Sequence, residues 1–385
     1  MFTQILNGNI LTPQGWLKGG SIIIDGEKIV EINDSTHLLP DTTVFDATGL
    51  FVIPGGIDMH VHGGGGADFM EGTSEAFRTA VHTHLRHGTT SIFPTLAASS
   101  ASMIRKAAAT CENLMKVPQS TIMGLHLEGP YLNPAKAGGQ IPEYIKEPDY
   151  DEYSSIISDF PCIRRWDVSP ELDGALSMGC YLFKHNILAA IAHTEADYDL
   201  VRTAYSSGFT HATHFYNAMT SVHNVREFKH EGTIEAIYLI DGISVEVIAD
   251  GIHVPAPILR LIHKIKGAEH TALVTDSMAV TDAPASHAFD ARVIIEDGVC
   301  KLADRSALAG SIATMDRLIR TCVKQAEIPL EDASRMASAT PAKIMGIYDR
   351  KGSIERGKDA DIIMFDRDIN LKAVFSLGNK IDINS

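Results

Sequence analysis

FVIPGGIDMHVHGGGGADFM, residues 51–70, is where this chain changes character. Upstream the pattern is β throughout, and downstream strand-like and helix-like runs alternate for most of the remaining length. Inside the stretch, His60 and His62 stand two apart in an apolar run. Residues i and i+2 of an extended strand face the same side. The pair therefore presents two imidazoles together where the chain leaves a sheet, and a metal ion is the first candidate to sit between them. Glycines 63–66 follow at once. They suit either a close backbone approach to a ligand or a flexible loop.

Working outward, the first fifty residues read as hairpins. TQILNGNILT carries an Asn-Gly turn signal and GSIIIDGEKIVEI an Asp-Gly one. After residue 55 the strand-like runs are IDMHVH, TTSIFPT, IMGLHLEGP, CIRRWDVSP, ILAAIAH, HATHFYNAM, ISVEVIAD and TALVTDSM. Helical patterns such as TSEAFRTAVHTHLRHG and PAPILRLIHKIKG separate most of them. Eight strands in βα alternation point to an α/β fold with a closed (β/α)8 TIM-like barrel; a doubly wound open sheet is the rival. The tail, KGSIERGKDADIIMFDRD and AVFSLGNKIDI, returns to β patterning. We expect residues 1–54 and 346–385 to pair as a small β-sandwich domain formed by both termini, with the barrel spanning 55–345.

Composition narrows the function. The 385 residues are 45% hydrophobic and carry a formal charge of −15, which argues against nucleic acid and anionic membranes as partners. No run approaches the length of a membrane span. The five cysteines are scattered without a CxxC pair, and the N-terminus has no basic region leading into an apolar run. Both features point to a cytoplasmic protein with reduced thiols. No phosphate-cradling GxxxxGK[ST] or GxGxxG context is present, so nucleotide binding has no support.

The strand endings carry the chemistry. Run one ends in His60 and His62, run three in Glu128, and run five in His193. Run six holds His214 and run eight Asp276. In a barrel all these ends share one rim, the face that holds active sites. Imidazole and carboxylate ligands suit zinc, and also iron, manganese, cobalt or nickel. Two ions sharing a carboxylate would lie about 3.5–4 Å apart. A second HxH, His82 and His84, falls on a helix, where i and i+2 diverge by roughly 200°; we expect it at the surface. His126 should share a strand face with Glu128 at greater depth, as a supporting or a core residue. His211 reads as structural, and Asp68 and Glu71 as loop or helix-start residues.

PGGIDMHVHGGGG, HLEGP, AHT, THFYNAM, ADGIHV, VTDSM, LAGSIATMD and KGSIERGKDADIIMFD occur in this order along the chain. In this the sequence resembles the N-acetylglucosamine-6-phosphate deacetylases of the amidohydrolase superfamily over essentially its whole length. The resemblance implies a barrel with a small β-domain, and a homodimer whose partner subunit helps to bind phosphate. It implies Glu128, His193 and His214 as principal metal ligands, His60 and His62 as a second-metal pair, and Asp276 as catalytic carboxylate and additional ligand. Gly139, Gln140, Asn217, Ala218, Arg226, Asp250, Gly251, Ile252, His253, Leu308, Ala309 and Gly310 match substrate-contacting positions. Gln140 stands where relatives often carry a histidine.

Amide hydrolysis near neutral pH needs a strong nucleophile, a polarised carbonyl and a protonated leaving amine. A metal lowers the pKa of water and polarises the acetyl oxygen. Asp276 would take the proton and return it to the departing nitrogen. A sugar phosphate needs cationic capture, for which Arg226 and His253 are the candidates. N-acetylgalactosamine 6-phosphate is a competing substrate. Other amidohydrolase chemistries (dihydroorotase-like, N-acyl-amino-acid or purine-deaminating) and a non-catalytic sugar-phosphate sensor are the rival readings. Glu128 in place of a carboxylated lysine bridge favours the deacetylase branch.

Overall fold

The computed structural model describes residues 2–34, 37–284, 286 and 288–384. Eight parallel strands form in the order anticipated: β1 (Gly56–Val61), β2 (Thr89–Leu96), β3 (Leu125–Glu128), β4 (Ile163–Val168), β5 (Leu188–Ile191), β6 (Phe209–Ala212), β7 (Ser244–Val247) and β8 (Thr271–Leu273). Each is hydrogen-bonded to its neighbour in sequence order, with no reversal. A doubly wound sheet requires such a reversal, so that rival is excluded. The ring closes where β1 meets the end of β8. There Asp276 N–H donates to the His60 carbonyl at 2.9 Å, and His62 N–H to the Ser277 carbonyl at 2.8 Å. Deeper in the seam, Thr275 Oγ1 donates to Asp58 Oδ2 at 2.6 Å.

Local signals set the helices between these strands. The helix Ser74–Arg86 starts where the Thr73 hydroxyl accepts the Ala76 N–H, and it stops before Gly88 at φ 90°. Phe77, Ala80 and His84 form its buried face. His82 is exposed as expected, but His84 is fully buried. The roughly 200° divergence that prevents chelation by the pair also turns one imidazole inward while the other faces solvent.

Both termini build the small β-domain. Strands Phe2–Thr12, Gly15–Asp25, Lys28–Asn33, Thr42–Asp46 and Phe51–Pro54 join Ile362–Phe365, Leu371–Ser376 and Asn379–Ile381 in one eight-stranded sheet. The sheet wraps its own apolar core, which includes Ile5, Ile22, Val52, Ile362 and Phe375. TQILNGNILT is not a hairpin: Asn7-Gly8 is a bulge within one eleven-residue strand. The bulge changes the strand's partner. Phe2–Leu6 pairs with Thr42–Asp46, whereas Asn9 and Ile10 pair with Phe51 and Val52. A Cβ on Gly8 would stand 2.5 Å from Val52 Cγ2, so the glycine serves close strand packing rather than a turn.

One long connection matters for the site. Between β8 and the helix Met315–Lys324, a hairpin of Val293–Glu296 and Val299–Leu302 stands over the barrel mouth. Arg292 ties it to the loop after β3 through the carbonyls of Gly139 and Gln140, at 3.2 and 3.3 Å.

Candidate metal centre

Glu128 closes β3, and its two oxygens serve two groups of imidazoles. Oε1 lies 3.0 Å from Nε2 of both His193 and His214, whose Nε2 atoms are 3.1 Å apart. Oε2 lies 3.2 Å from His62 Nε2 and 3.6 Å from His60 Nε2. Asp276 Oδ1 stands 3.2 and 3.5 Å from the same two nitrogens. The result is two triads with Glu128 as the wall between them: Glu128, His193 and His214, and His60, His62 and Asp276.

The donor set fits a cation in each triad. His193 Nδ1–H donates to the Lys136 carbonyl at 2.7 Å, and His60 Nδ1–H donates to Glu246 at 2.7 Å. Each ring therefore turns a bare Nε2 toward carboxylate oxygens, an arrangement that positive charge must hold together. The electrostatics agree. Burial pulls His62 down, but Asp276 and Glu128 outweigh it and push its pKa up to about 9. Burial would raise Glu128, yet His60, His193 and His214 hold it well below the usual carboxylate range. A third grouping of His60, His126 and Asp167 does not fit a cation, because Asp167 already pairs with the Arg165 guanidinium.

His193, His214 and Asp276 lie just past β5, β6 and β8 rather than on them, with φ of 45°, 26° and 48°. Left-handed backbone is rare for non-glycine residues and concentrates at functional sites. Strand patterning alone could not place these three side chains.

Above the triads lies a cavity of about 370 Å³, and His62, Glu128, His193, His214 and Asp276 reach it. Of the residues matched to substrate contacts, Gly139, Gln140, Asn217 and Ala218 line it, as do His253 and Leu308–Gly310. Gln140 is locked: Oε1 accepts the Ala98 N–H and Nε2 donates to Glu128 Oε2, both at 2.7 Å. Asp250, Gly251 and Ile252 do not line the cavity. Asp250 instead holds His253, accepting from its Nδ1 at 2.8 Å and from its backbone N–H at 2.8 Å. Arg226 lies away from the cavity, at the tip of an exposed hairpin of His223–Val225 and Phe228–His230.

Residues 51–384 match the amidohydrolase family. The chain belongs to that family. It is 32% identical to N-acetylglucosamine-6-phosphate deacetylase of Haemophilus influenzae, with 94% of each chain covered. It is 30% identical to that of Bacillus subtilis, over 96% of this chain and 94% of the relative. Among solved structures, the N-acetylglucosamine-6-phosphate deacetylase of Pasteurella multocida superposes with a TM-score of 0.91 at 28% identity, covering 99% of this chain and 100% of that one. A mutant of the Mycobacterium smegmatis enzyme in complex with N-acetyl-D-glucosamine-6-phosphate gives 0.88 at 29%, covering 98% and 99%.

In this amidohydrolase the glycine loop is packed rather than loose. Gly63 and Gly64 pair with Asp68 and Ala67, and a Cβ on Gly63 would meet the Ala67 carbonyl oxygen at 2.3 Å. Burial pushes the His84 pKa down to about 4, so the neutral ring donates from Nε2 to the Gly63 carbonyl at 2.8 Å. Asp68 caps the short turn Phe69–Glu71, as a helix-start residue should. Gly63→Ala should cost about 1–3 kcal/mol by overpacking, read as a lower Tm. A wild-type Tm would instead favour the flexible-loop reading.

Arg165, Asp167 and Glu246, all fully buried beneath the triads, were not singled out from sequence. The available signal was charge at period two on buried strands. Asp58, His60 and His62 share one such face, Arg165 and Asp167 another, and Ser244 and Glu246 a third. His126 and His211 belong to the same layer: His126 lies 2.9 Å from Asp167, and His211 lies 3.2 Å from Glu246.

Proposed function

We propose that this amidohydrolase removes the acetyl group of N-acetyl-D-glucosamine 6-phosphate, giving D-glucosamine 6-phosphate and acetate. The observation that carries this reading is the meeting of four imidazoles with Glu128 and Asp276 in two adjoining triads, all of whose residues but the buried His60 reach one cavity. Full-length relatives named for the same reaction support it.

Glu128, His193 and His214 would hold one divalent ion, zinc in first place, and His60, His62 and Asp276 a second. Such an ion lowers the pKa of water from 15.7 to about 7 and polarises an acyl oxygen. Asp276 is the proton carrier: it reaches both the His60–His62 side of the centre and the cavity. It accepts the proton of the attacking water and delivers it to the amide nitrogen as the C–N bond breaks. Gln140, fixed between Ala98 and Glu128, orients the Glu128 carboxylate and offers a polar wall to the acetamide. His253, held by Asp250, together with Asn217 and Ala218, lines the sugar-phosphate side, and Gly139 and Leu308–Gly310 close the other wall.

Arg226 needs a second subunit. The hairpin that carries it exposes Val225 at 48% and Phe228 at 63%, an apolar surface suited to association. In a homodimer the arginine would meet the partner's substrate phosphate. No helix among the described residues is long and apolar enough to cross a membrane, and all five cysteines are unpaired. The unpaired cysteines support a cytoplasmic setting.

Acetate release from N-acetylglucosamine 6-phosphate and N-acetylgalactosamine 6-phosphate, measured before and after chelation, tests the reading. We expect turnover of the glucosamine epimer, lost on chelation and restored by zinc. Turnover that survives complete metal removal would overturn the metal-dependent mechanism. Turnover of the galactosamine epimer alone would reassign the substrate.

A further inference from the structure

Beneath the centre, the barrel floor is charged and fully buried. Arg165 of β4 forks onto Asp167, with Nε 2.8 Å from Oδ1 and Nη2 3.0 Å from Oδ2. The same guanidinium meets Glu246 of β7, with Nη2 2.9 Å from Oε1 and Nη1 in contact with Oε2. Its remaining contacts are Thr213 Oγ1 at 3.0 Å and the Met59 carbonyl at 3.3 Å. Glu246 does not stop at Arg165. Its Oε1 accepts His60 Nδ1–H at 2.7 Å and the backbone N–H of His214 at 3.1 Å. One carboxylate thus touches the ring of a ligand in one triad and the main chain of a ligand in the other. Neither Glu246 nor Arg165 reaches the cavity.

We propose that Glu246, anchored by Arg165, is the positioning residue that makes His60, His62 and Asp276 a working second metal site. Its contact fixes His60 as the Nδ1–H tautomer, so that Nε2 faces His62, Asp276 and Glu128 Oε2. Without that acceptor the ring is free to turn or to carry its proton on Nε2, and the second triad loses a ligand. The His193–His214 triad has its own orienting acceptor, the Lys136 carbonyl, and depends on Glu246 only through the His214 backbone. The two metal sites should therefore respond unequally to a change at Glu246. A carboxylate that merely stabilised the barrel floor would affect both alike.

The inference rests on reading the centre as a metal site. Its test uses metal-free protein without substrate, so failure of the deacetylase assignment would leave the result standing. Metal-free wild type and Glu246→Gln are titrated with Co²⁺ and Zn²⁺ against a chromophoric chelator, with the Co²⁺ visible spectrum recorded at each equivalent. Wild type should bind two equivalents. Glu246→Gln should bind the second about 10–100-fold more weakly, with a changed second-equivalent spectrum and the first equivalent nearly unaffected. Three outcomes would overturn the proposal: a single equivalent in wild type, unchanged affinity in the variant, or parallel weakening of both equivalents. Should Glu246→Gln fail to fold, ¹⁵N-imidazole spectra of zinc-loaded wild type decide, with His60 assigned by its loss in His60→Gln. A slowly exchanging Nδ1 proton on His60 supports the proposal, and an Nε2–H tautomer refutes it.

Discussion

Asp276→Asn should lower kcat by about 10²–10⁴-fold, the contribution typical of a positioned acid–base group, with metal content close to that of wild type. The substitution keeps the shape of the side chain and an oxygen opposite His60 and His62, but the amide cannot accept the water's proton. The backbone contacts of residue 276, its N–H to the His60 carbonyl and its carbonyl to the Ser311 N–H at 2.7 Å, do not depend on the carboxylate. His60 and His62 hold the Asp276 carboxyl below its ordinary pKa against the upward pull of burial, so it is ionised and ready to accept at neutral pH. Acetate release and metal analysis on the same preparation separate the outcomes. Unchanged turnover would remove Asp276 from the proton path. Turnover that fell only in proportion to lost metal would make it a ligand and nothing more.

Glu128→Ala should empty both triads. Among the described residues its carboxylate is the one group within reach of all four imidazoles, with Oε1 serving His193 and His214 and Oε2 facing His62 and His60. We expect metal affinity to fall by more than the 10–100-fold associated with losing an outer hydrogen-bond partner, and acetate release to vanish even with added zinc. The Gln140 amide, which donates to Oε2, would lose its acceptor and add a stability loss of about 1–3 kcal/mol. Two tightly bound equivalents in this variant would show that the imidazoles bind metal without a bridge and would dismantle the two-triad arrangement.

Much of the barrel was legible because its signals are local. Apolar runs near the right length, Thr73 and Gly88 at the ends of a helix, and the HVH pair each declare themselves within a few residues. Where reading failed, the deciding contact lay elsewhere in the chain. Asn7-Gly8 looks like a turn until Phe51–Pro54 packs against it. His84 looks solvent-facing until the Gly63 carbonyl appears beside it, 21 positions away. Arg226 matches a binding position, yet it sits at the tip of an exposed hairpin and does not line its own cavity.

The sequence by itself determined the order of strands and helices, the ligand types, and the rim on which they gather, because alternation and residue chemistry are properties of neighbours along the chain. Only the tertiary structure decided which oxygen of Glu128 faces which pair of rings, that His193, His214 and Asp276 lie past their strands in left-handed backbone, and that a buried Arg165–Glu246 pair stands under His60. Those facts depend on groups brought together across as many as 216 positions, as with His60 and Asp276. No local pattern encodes the distance or angle at which two such groups will meet.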